Sequence, residues 1–283
     1  MPNIPSLKDM LKAGMHFGHR TSRWHPKMKP FIFGSRSGVH VIDIEQTQKM
    51  LENALNQVEE IVSRGGKIMF VGTKPQAQAI VEKYAKEAGM PYVNTRWLGG
   101  TFTNFPEIQN LIKNYLDLKD KREKGELRKY TKLEQLQFDR KIDELEGKIG
   151  GISTLEKLPE AMFALDVKSD KTAITEARKR GVKVISICDT NVNPTLIDVV
   201  IPANDDSTGS LTMITKLVAE AVKVGKARAK SGAVEVKKAV VAKSVAVVEE
   251  DDVKVSAESI ETVEELDDAM KERQAREQLE SMK

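Results

Sequence analysis

Apolar residues along this chain come in two rhythms. Short unbroken runs appear at Ile68-Met69-Phe70-Val71, Pro91-Tyr92-Val93, Met162 to Leu165, Val184 to Cys188 and Val199 to Ile201. Runs of that length, bounded by glycine or polar residues, predict strands buried on both faces. Between them the apolar positions recur at helical spacing. Met50, Leu51, Ala54, Leu55, Val58, Ile61 and Val62 mark a helix from Glu45 to Arg64, stopped by Gly65-Gly66. Further helices are predicted at Gln76 to Ala88, Thr172 to Arg180, after Pro194, and from Ser210 to about Lys226. Strands alternating with helices imply parallel pairing through right-handed crossovers. The expectation is a doubly wound α/β body with five parallel strands.

Such a sheet is of the flavodoxin-like or Rossmann-like kind, and three segments depart from its rhythm. Before the first body strand, Ser6 can cap a short helix ended by Gly14, and Phe31 to Phe33 and Val39 to Ile42 read as extended segments around Gly34 and Gly38. Between Val93 and Met162 the crossover is far too long. Ile108, Leu111, Ile112, Tyr115, Leu116 and Leu118 form one stripe, and Leu133, Leu136, Ile142, Leu145 and Ile149 a second. Two such helices predict an inserted antiparallel hairpin over residues 104–150 that seals its own seam. After Lys226 alanine, valine and lysine dominate, then acids, with few large apolar side chains. Residues 1–226 are therefore expected to be the body and 227–283 a disordered tail.

Charge sharpens this division. Net charge over 283 residues is +3. From Glu249 onward 13 acids face 5 bases, a net of −8, which leaves +11 on the rest. A basic body predicts a polyanionic partner. Cys188 is the one cysteine, which excludes an intrachain disulfide and fits a reducing compartment. No apolar run is long enough to span a bilayer, and the first residues lack the pattern of a secretory signal, so the expectation is a cytoplasmic protein without a membrane partner.

The basic character is concentrated between Lys12 and Ile44. Residues 10–42 contain no carboxylate, and all four histidines lie there: His16, His19, His25 and His40. Arg20, Arg23, Lys27, Lys29 and Arg36 alternate with Phe17, Trp24, Phe31 and Phe33. Fixed cations release counterions from a phosphate backbone, and flat rings stack on accessible bases. The plain alternative is a solvated loop with a few buried rings. His16, His19 and His25 lie close enough in sequence to share a metal, but no local cysteine or carboxylate completes a zinc set, so packed or phosphate-facing histidines are the favoured reading.

Other candidates are weaker. Gly72-Thr73-Lys74 opens a helix after a strand, where a doubly wound fold holds phosphate, yet neither glycine-rich fingerprint is present and Pro75 removes a donor. Arg96-Trp97-Leu98-Gly99-Gly100-Thr101 is a second basic-aromatic loop, read first as a packed corner at the hairpin root and second as an RNA contact through Arg96. Asp189-Thr190-Asn191 and Asn204-Asp205-Asp206 follow two strands. They suit Mg²⁺ or acid–base work, but Ser207 or Asp206 as a helix cap explains the second more simply. Cys188 sits in an apolar run and reads as inert core. No catalytic triad is legible, because every histidine lies in the first forty residues.

Ala13-Gly14-Met15-His16-Phe17-Gly18-His19, Trp24-His25-Pro26-Lys27-Met28-Lys29-Pro30 and Phe31-Ile32-Phe33-Gly34 closely resemble the opening of the bacterial second protein of the small ribosomal subunit. That family usually shows asparagine where His25 stands. Further similar blocks are Phe70-Val71-Gly72-Thr73-Lys74, Pro91-Tyr92-Val93-Asn94, Arg96 to Thr101 and Ile201 to Asp206, so the resemblance covers about residues 5–226. It implies a non-catalytic constituent of the small subunit with no cofactor and no small-molecule substrate. It implies contact with small-subunit ribosomal RNA and neighbouring ribosomal proteins, including the large messenger-binding protein. It also implies a place on the solvent side near the junction of head and body, and a protruding coiled coil. Two other classes stay open on the residues alone: an enzyme with a nucleotide or sugar-phosphate site at the strand ends, and a metal-dependent regulator.

Overall fold

The structure, a computed structural model, describes residues 3–246 of the chain. Five short strands form one parallel sheet: β4 (Ile68–Val71), β5 (Tyr92–Val93), β6 (Ala161–Ala164), β7 (Lys183–Cys188) and β8 (Val199–Pro202). Their order is β5-β4-β6-β7-β8. The chain leaves β4 in one direction and returns past it to β6, so the order reverses between β4 and β6, where open α/β sheets form their crevice.

Unbroken apolar runs give this sheet two cores. Along β4 the pleat sends Ile68 and Phe70 to one face and Met69 and Val71 to the other, and all four are buried. The first face meets α1 (Leu7–Lys12), α2 (Ile44–Ser63), α3 (Pro75–Ala88) and the start of α7 (Thr208–Ala246) through Met10, Leu51, Val58, Val81, Leu211 and Val218. Phe70 and Phe163 touch edge to face across neighbouring strands, centroids 5.6 Å apart. The second face meets α6 (Lys171–Lys179) through Ala173, Ile174 and Ala177, and the roots of α4 (Phe105–Glu123) and α5 (Lys132–Ile149). The expected α/β sheet is thus present.

Lys119 lies opposite Glu146 (3.6 Å) and Arg122 opposite Asp143 (3.7 Å), so α4 and α5 run antiparallel. Ile108, Ile112, Tyr115, Ile142 and Ile149 are buried between them and the body. The outer part of the second stripe is not seam. Leu133 and Leu136 are exposed, as is Leu116. Continuing the register of the facing pairs sets Leu136 opposite residue 129, beyond the end of α4 at Glu123, where only a single 3₁₀ turn, Glu126–Lys129, stands opposite.

Before the sheet stands a three-stranded antiparallel layer, β1 (Phe17–Arg20), β2 (Ile32–Arg36) and β3 (Val39–Ile42), in the order β1-β3-β2. The β2–β3 turn uses Ser37 and Gly38, both at positive φ, the two-residue turn that matches strand twist. β1 is not foreshadowed by the sequence. Phe-Gly-His-Arg has no strand periodicity of its own, and pairing with β3 makes it a strand. The helix expected after Pro194 is only a turn of 3₁₀ helix, Pro194–Leu196, because β8 begins at Val199. The last helix, expected to end near Lys226, continues to Ala246 through an alanine-rich stretch with no proline. The chain divides into two units, one through Ser231 and one from Gly232. The tail expected over residues 227–283 is thus helical as far as Ala246, and its remainder, with the acidic segment, lies outside the described residues.

Candidate nucleic-acid interface

The N-terminal layer is clamped onto the C-terminal ends of β7 and β8. The His19 and His25 backbone amides donate to Thr190 Oγ1 (2.9 Å) and to its carbonyl (2.7 Å). The Asn204 amide donates to Met15 O (3.1 Å), its side chain to Gly14 O (3.1 Å), and Ser207 Oγ to Ala13 O (2.9 Å). Gly18 is needed here, since a Cβ on it would come within 2.6 Å of Thr190 Cγ2.

This clamp turns the cations outward. Arg20, Arg23, Lys27, Lys29 and Arg36 are all exposed, and none pairs with a carboxylate among the described residues. Arg20 and Arg23 line an open pocket of about 480 Å³ beside Gly18, His19, Val39 and Asp206. Lys27 Nζ reaches Thr195 Oγ1 (3.3 Å), and Arg178 of α6 donates to the Thr195 carbonyl (3.4 Å). The cationic face therefore continues onto α6, which sequence spacing did not reveal. Trp24 is 36 % exposed with its ring 5.2 Å from that of His40, and Phe17 and Phe33 are more exposed still. Arg96 is exposed on the separate loop after β5, while its neighbour Trp97 is buried edge-to-face against Phe102 (5.0 Å), a packed corner as expected.

Behind the face lies a crevice of opposite sign. The strands end in carboxylates: Asp166 after β6, Asp189 after β7, Asp205 and Asp206 after β8. Lys74, after β4, extends into them, with Nζ 2.6 Å from Asp206, 3.0 Å from Asp205 and 3.7 Å from Asp166. Burial alone would lower the Lys74 pKa, but these carboxylates outweigh it and hold the ammonium charged. Burial, together with Asp189 and Asp166, pushes Asp205 up to about 7. For Asp206 the Lys74 ammonium overcomes burial and lowers the pKa. His19 Nδ1 lies 3.0 Å from Asp189 and Nε2 3.6 Å from Asp206, and chiefly the Asp189 contact raises the imidazole. A phosphate brought to the Gly72-Thr73-Lys74 turn would meet four carboxylates and a lysine already engaged by them, which argues against a nucleotide site.

The histidines do not converge as a ligand set. His16 packs against the Phe17 ring (3.9 Å), and burial lowers its pKa. His25 Nδ1 accepts the Lys27 amide (3.2 Å) as the cap of a 3₁₀ turn. Only His19 joins a group with metal-holding spacing among the described residues, with Asp205 and Asp206 and all ligand atoms within 4.8 Å of one another. The histidine spacing of the sequence missed this, because the acids are almost two hundred residues away. Ser207 is the residue before α7, as expected of a cap, and Asn204 Oδ1 accepts the Asp206 and Ser207 amides in the turn that leads into it. Cys188 is fully buried, and burial pushes its thiol far up, so it is inert.

Sequence reading also missed two buried acids. Asp170 accepts from Thr73 Oγ1 (2.8 Å), and its other oxygen has no partner. Glu176 lies among the apolar positions of α6 and gathers the loop after β5. A carboxylate inside an apolar helical stripe was the available signal.

The chain matches the family model described as "Ribosomal protein S2" over residues 10–225. That span holds the N-terminal layer, all five body strands and the helix pair, so the chain belongs to the ribosomal protein S2 family, structural and non-catalytic constituents of the small ribosomal subunit.

Proposed function

We propose that the chain binds small-subunit ribosomal RNA through its N-terminal face, with Arg20, Arg23, Lys27, Lys29 and Arg36 on phosphates, Trp24 against a base, and Arg96 as an outlying contact. One observation carries this reading: the exposed cations of a carboxylate-free segment are held outward by a clamp of backbone hydrogen bonds and pair with no acid among the described residues. Pre-positioned cations of this kind gain by counterion release, while the body supplies rigidity rather than chemistry. In this reading the protein is cytoplasmic and ribosome-associated. The α4–α5 pair acts as a coiled-coil arm toward neighbouring ribosomal proteins or RNA, among them the large messenger-binding protein.

Affinity for the cognate ribosomal RNA, measured against salt, tests it. Replacing Arg20, Arg23, Lys27 and Lys29 together by glutamine is expected to weaken binding and to flatten the salt slope by roughly 0.7–0.9 for every phosphate that is no longer neutralised. Parallel lines for parent and variant would sink the proposal and leave the face a role in protein contact.

A further inference from the structure

The loop from Trp97 to Asn104 joins β5 to the first helix of the pair. It turns through Gly99 and Gly100, and its own backbone supplies only the bonds from Thr101 to Leu98 and from Asn104 to Gly100. One side chain from another element supplies the rest. Glu176 stands on α6, 7 % exposed. Its Oε1 accepts from the Gly100 amide (2.8 Å) and from Trp97 Nε1 (3.2 Å). Its Oε2 accepts from the Phe102 amide (3.1 Å), the Thr103 amide (3.2 Å) and Thr103 Oγ1 (3.2 Å). No lysine or arginine pairs with it among the described residues. The negative charge is met by N–H and O–H dipoles alone, the way a loop of successive amides cradles an anion.

Geometry gives this cradle a direction. Ala173, Ile174 and Ala177 lock α6 into the second core, so the carboxylate is held by the rigid layer of the sheet. Thr103, bonded twice, immediately precedes Asn104, the residue before α4. Apolar packing of Phe105, Ile108 and Ile149 into the second core also holds the root, but it is non-directional, and two further hydrogen bonds there, Thr95 Oγ1 to Gly147 O and Gln109 Nε2 to Glu156 O, are single and lie at the surface. Burial alone would raise the Glu176 carboxyl, but the amides of Gly100 and Phe102, then Trp97 and Thr103, outweigh it and hold it below the usual range.

We propose that Glu176 is the positioning residue that sets the angle at which the α4–α5 pair leaves the body, fixing that pair in advance for whatever it engages. An arm fixed in direction loses less freedom on contact than a hinged one. The cradle does not depend on the RNA-binding reading, and its failure would leave that reading intact.

Distance measurement by pulsed electron paramagnetic resonance tests it on the full-length chain. Spin labels go at Glu52→Cys on α2 and Glu126→Cys between α4 and α5, both exposed; Cys188 is fully buried and stays unlabelled. The parent is expected to give one narrow distribution. Glu176→Gln replaces one acceptor oxygen by a donor that faces other donors, and the distribution is expected to roughly double in width while the body keeps its cooperative unfolding transition. The double variant Trp97→Phe, Thr103→Val removes side-chain donors but spares the carboxylate, and should give an intermediate width. A distribution in Glu176→Gln as narrow as the parent's would overturn the proposal. So would loss of the cooperative transition in Glu176→Gln, since Glu176 would then be a general core residue rather than the guide of one element.

Discussion

Asp170 is the residue whose environment speaks most directly to stability. Burial, ahead of any neighbour, pushes its carboxyl up to about 7, against 3.8 for the free group. Between those values the folded state keeps a proton that the unfolded chain has released. Stability therefore falls as pH rises through that window, and the penalty is complete above pH 7. Asp170→Asn keeps an acceptor for Thr73 and cannot ionise. It is expected to flatten the pH dependence between about 4 and 7 and to gain at most about 4 kcal/mol at pH 8, read by denaturant unfolding at a series of pH values. An unchanged profile would show that Asp170 ionises freely. Trp24 makes a different prediction. With its ring partly exposed against His40, Trp24→Ala should weaken RNA binding by about 1–3 kcal/mol with little change in salt slope, if the ring stacks on a base. Residue types were legible in the sequence, but their company was not. Lys74 stands at a strand end where a doubly wound fold can hold phosphate, without the glycine fingerprint, and folding surrounds it with Asp166, Asp205 and Asp206.

Elements were legible where periodicity is strong and local. Ile68–Val71 is placed to the residue by its sequence, and α2 within one residue at each end, because an unbroken apolar run and a helical stripe each demand one way of being buried. β1 and the short turn at Pro194 escaped, since partners and chain length decide them rather than their own side chains. The helix pair is the element most open to test. Its root is buried with the second core, whereas Leu116, Leu133 and Leu136 are exposed farther out. Replacing residues 109–146 with a short Gly/Ser linker should leave a body that unfolds cooperatively but is incorporated poorly into small subunits, scored by sedimentation of reconstituted particles. Loss of the cooperative transition would show that the outer pair is part of the core. Inside the seam, fully buried Ile142 truncated to alanine should cost about 2–5 kcal/mol if the pair shares the body's transition.

At the scale of the molecule, charge is sorted into layers: cations on the outer face, acids in the crevice behind, with Lys74 and His19 between them. Two expectations follow. Calorimetry with ATP, GTP and NAD should show nothing tighter than about millimolar, near −4 kcal/mol, because the crevice presents carboxylates to any phosphate. Micromolar binding abolished by Lys74→Ala would contradict this. Because Arg178 meets Lys27 across Thr195, Arg178→Gln should also weaken RNA binding and flatten the salt slope, by somewhat under one unit. An unaltered slope would confine the face to the N-terminal layer. By itself the sequence determined the α/β class, the five strands, the helix pair and the location of the acid-free basic segment. These follow from apolar periodicity and from a 33-residue span without acids, both local properties of the chain. Only the tertiary structure decided what meets at the strand ends. His19 joins Asp189 and Asp206, Lys74 joins Asp205, and Glu176 gathers the loop from Trp97 to Thr103. Those partners lie between 73 and 187 positions apart in the chain, and no periodicity reaches that far. Parallel crossovers bring every strand's C-terminal end to one edge, and a buried charge must then find its partner among whatever the other strands deliver there.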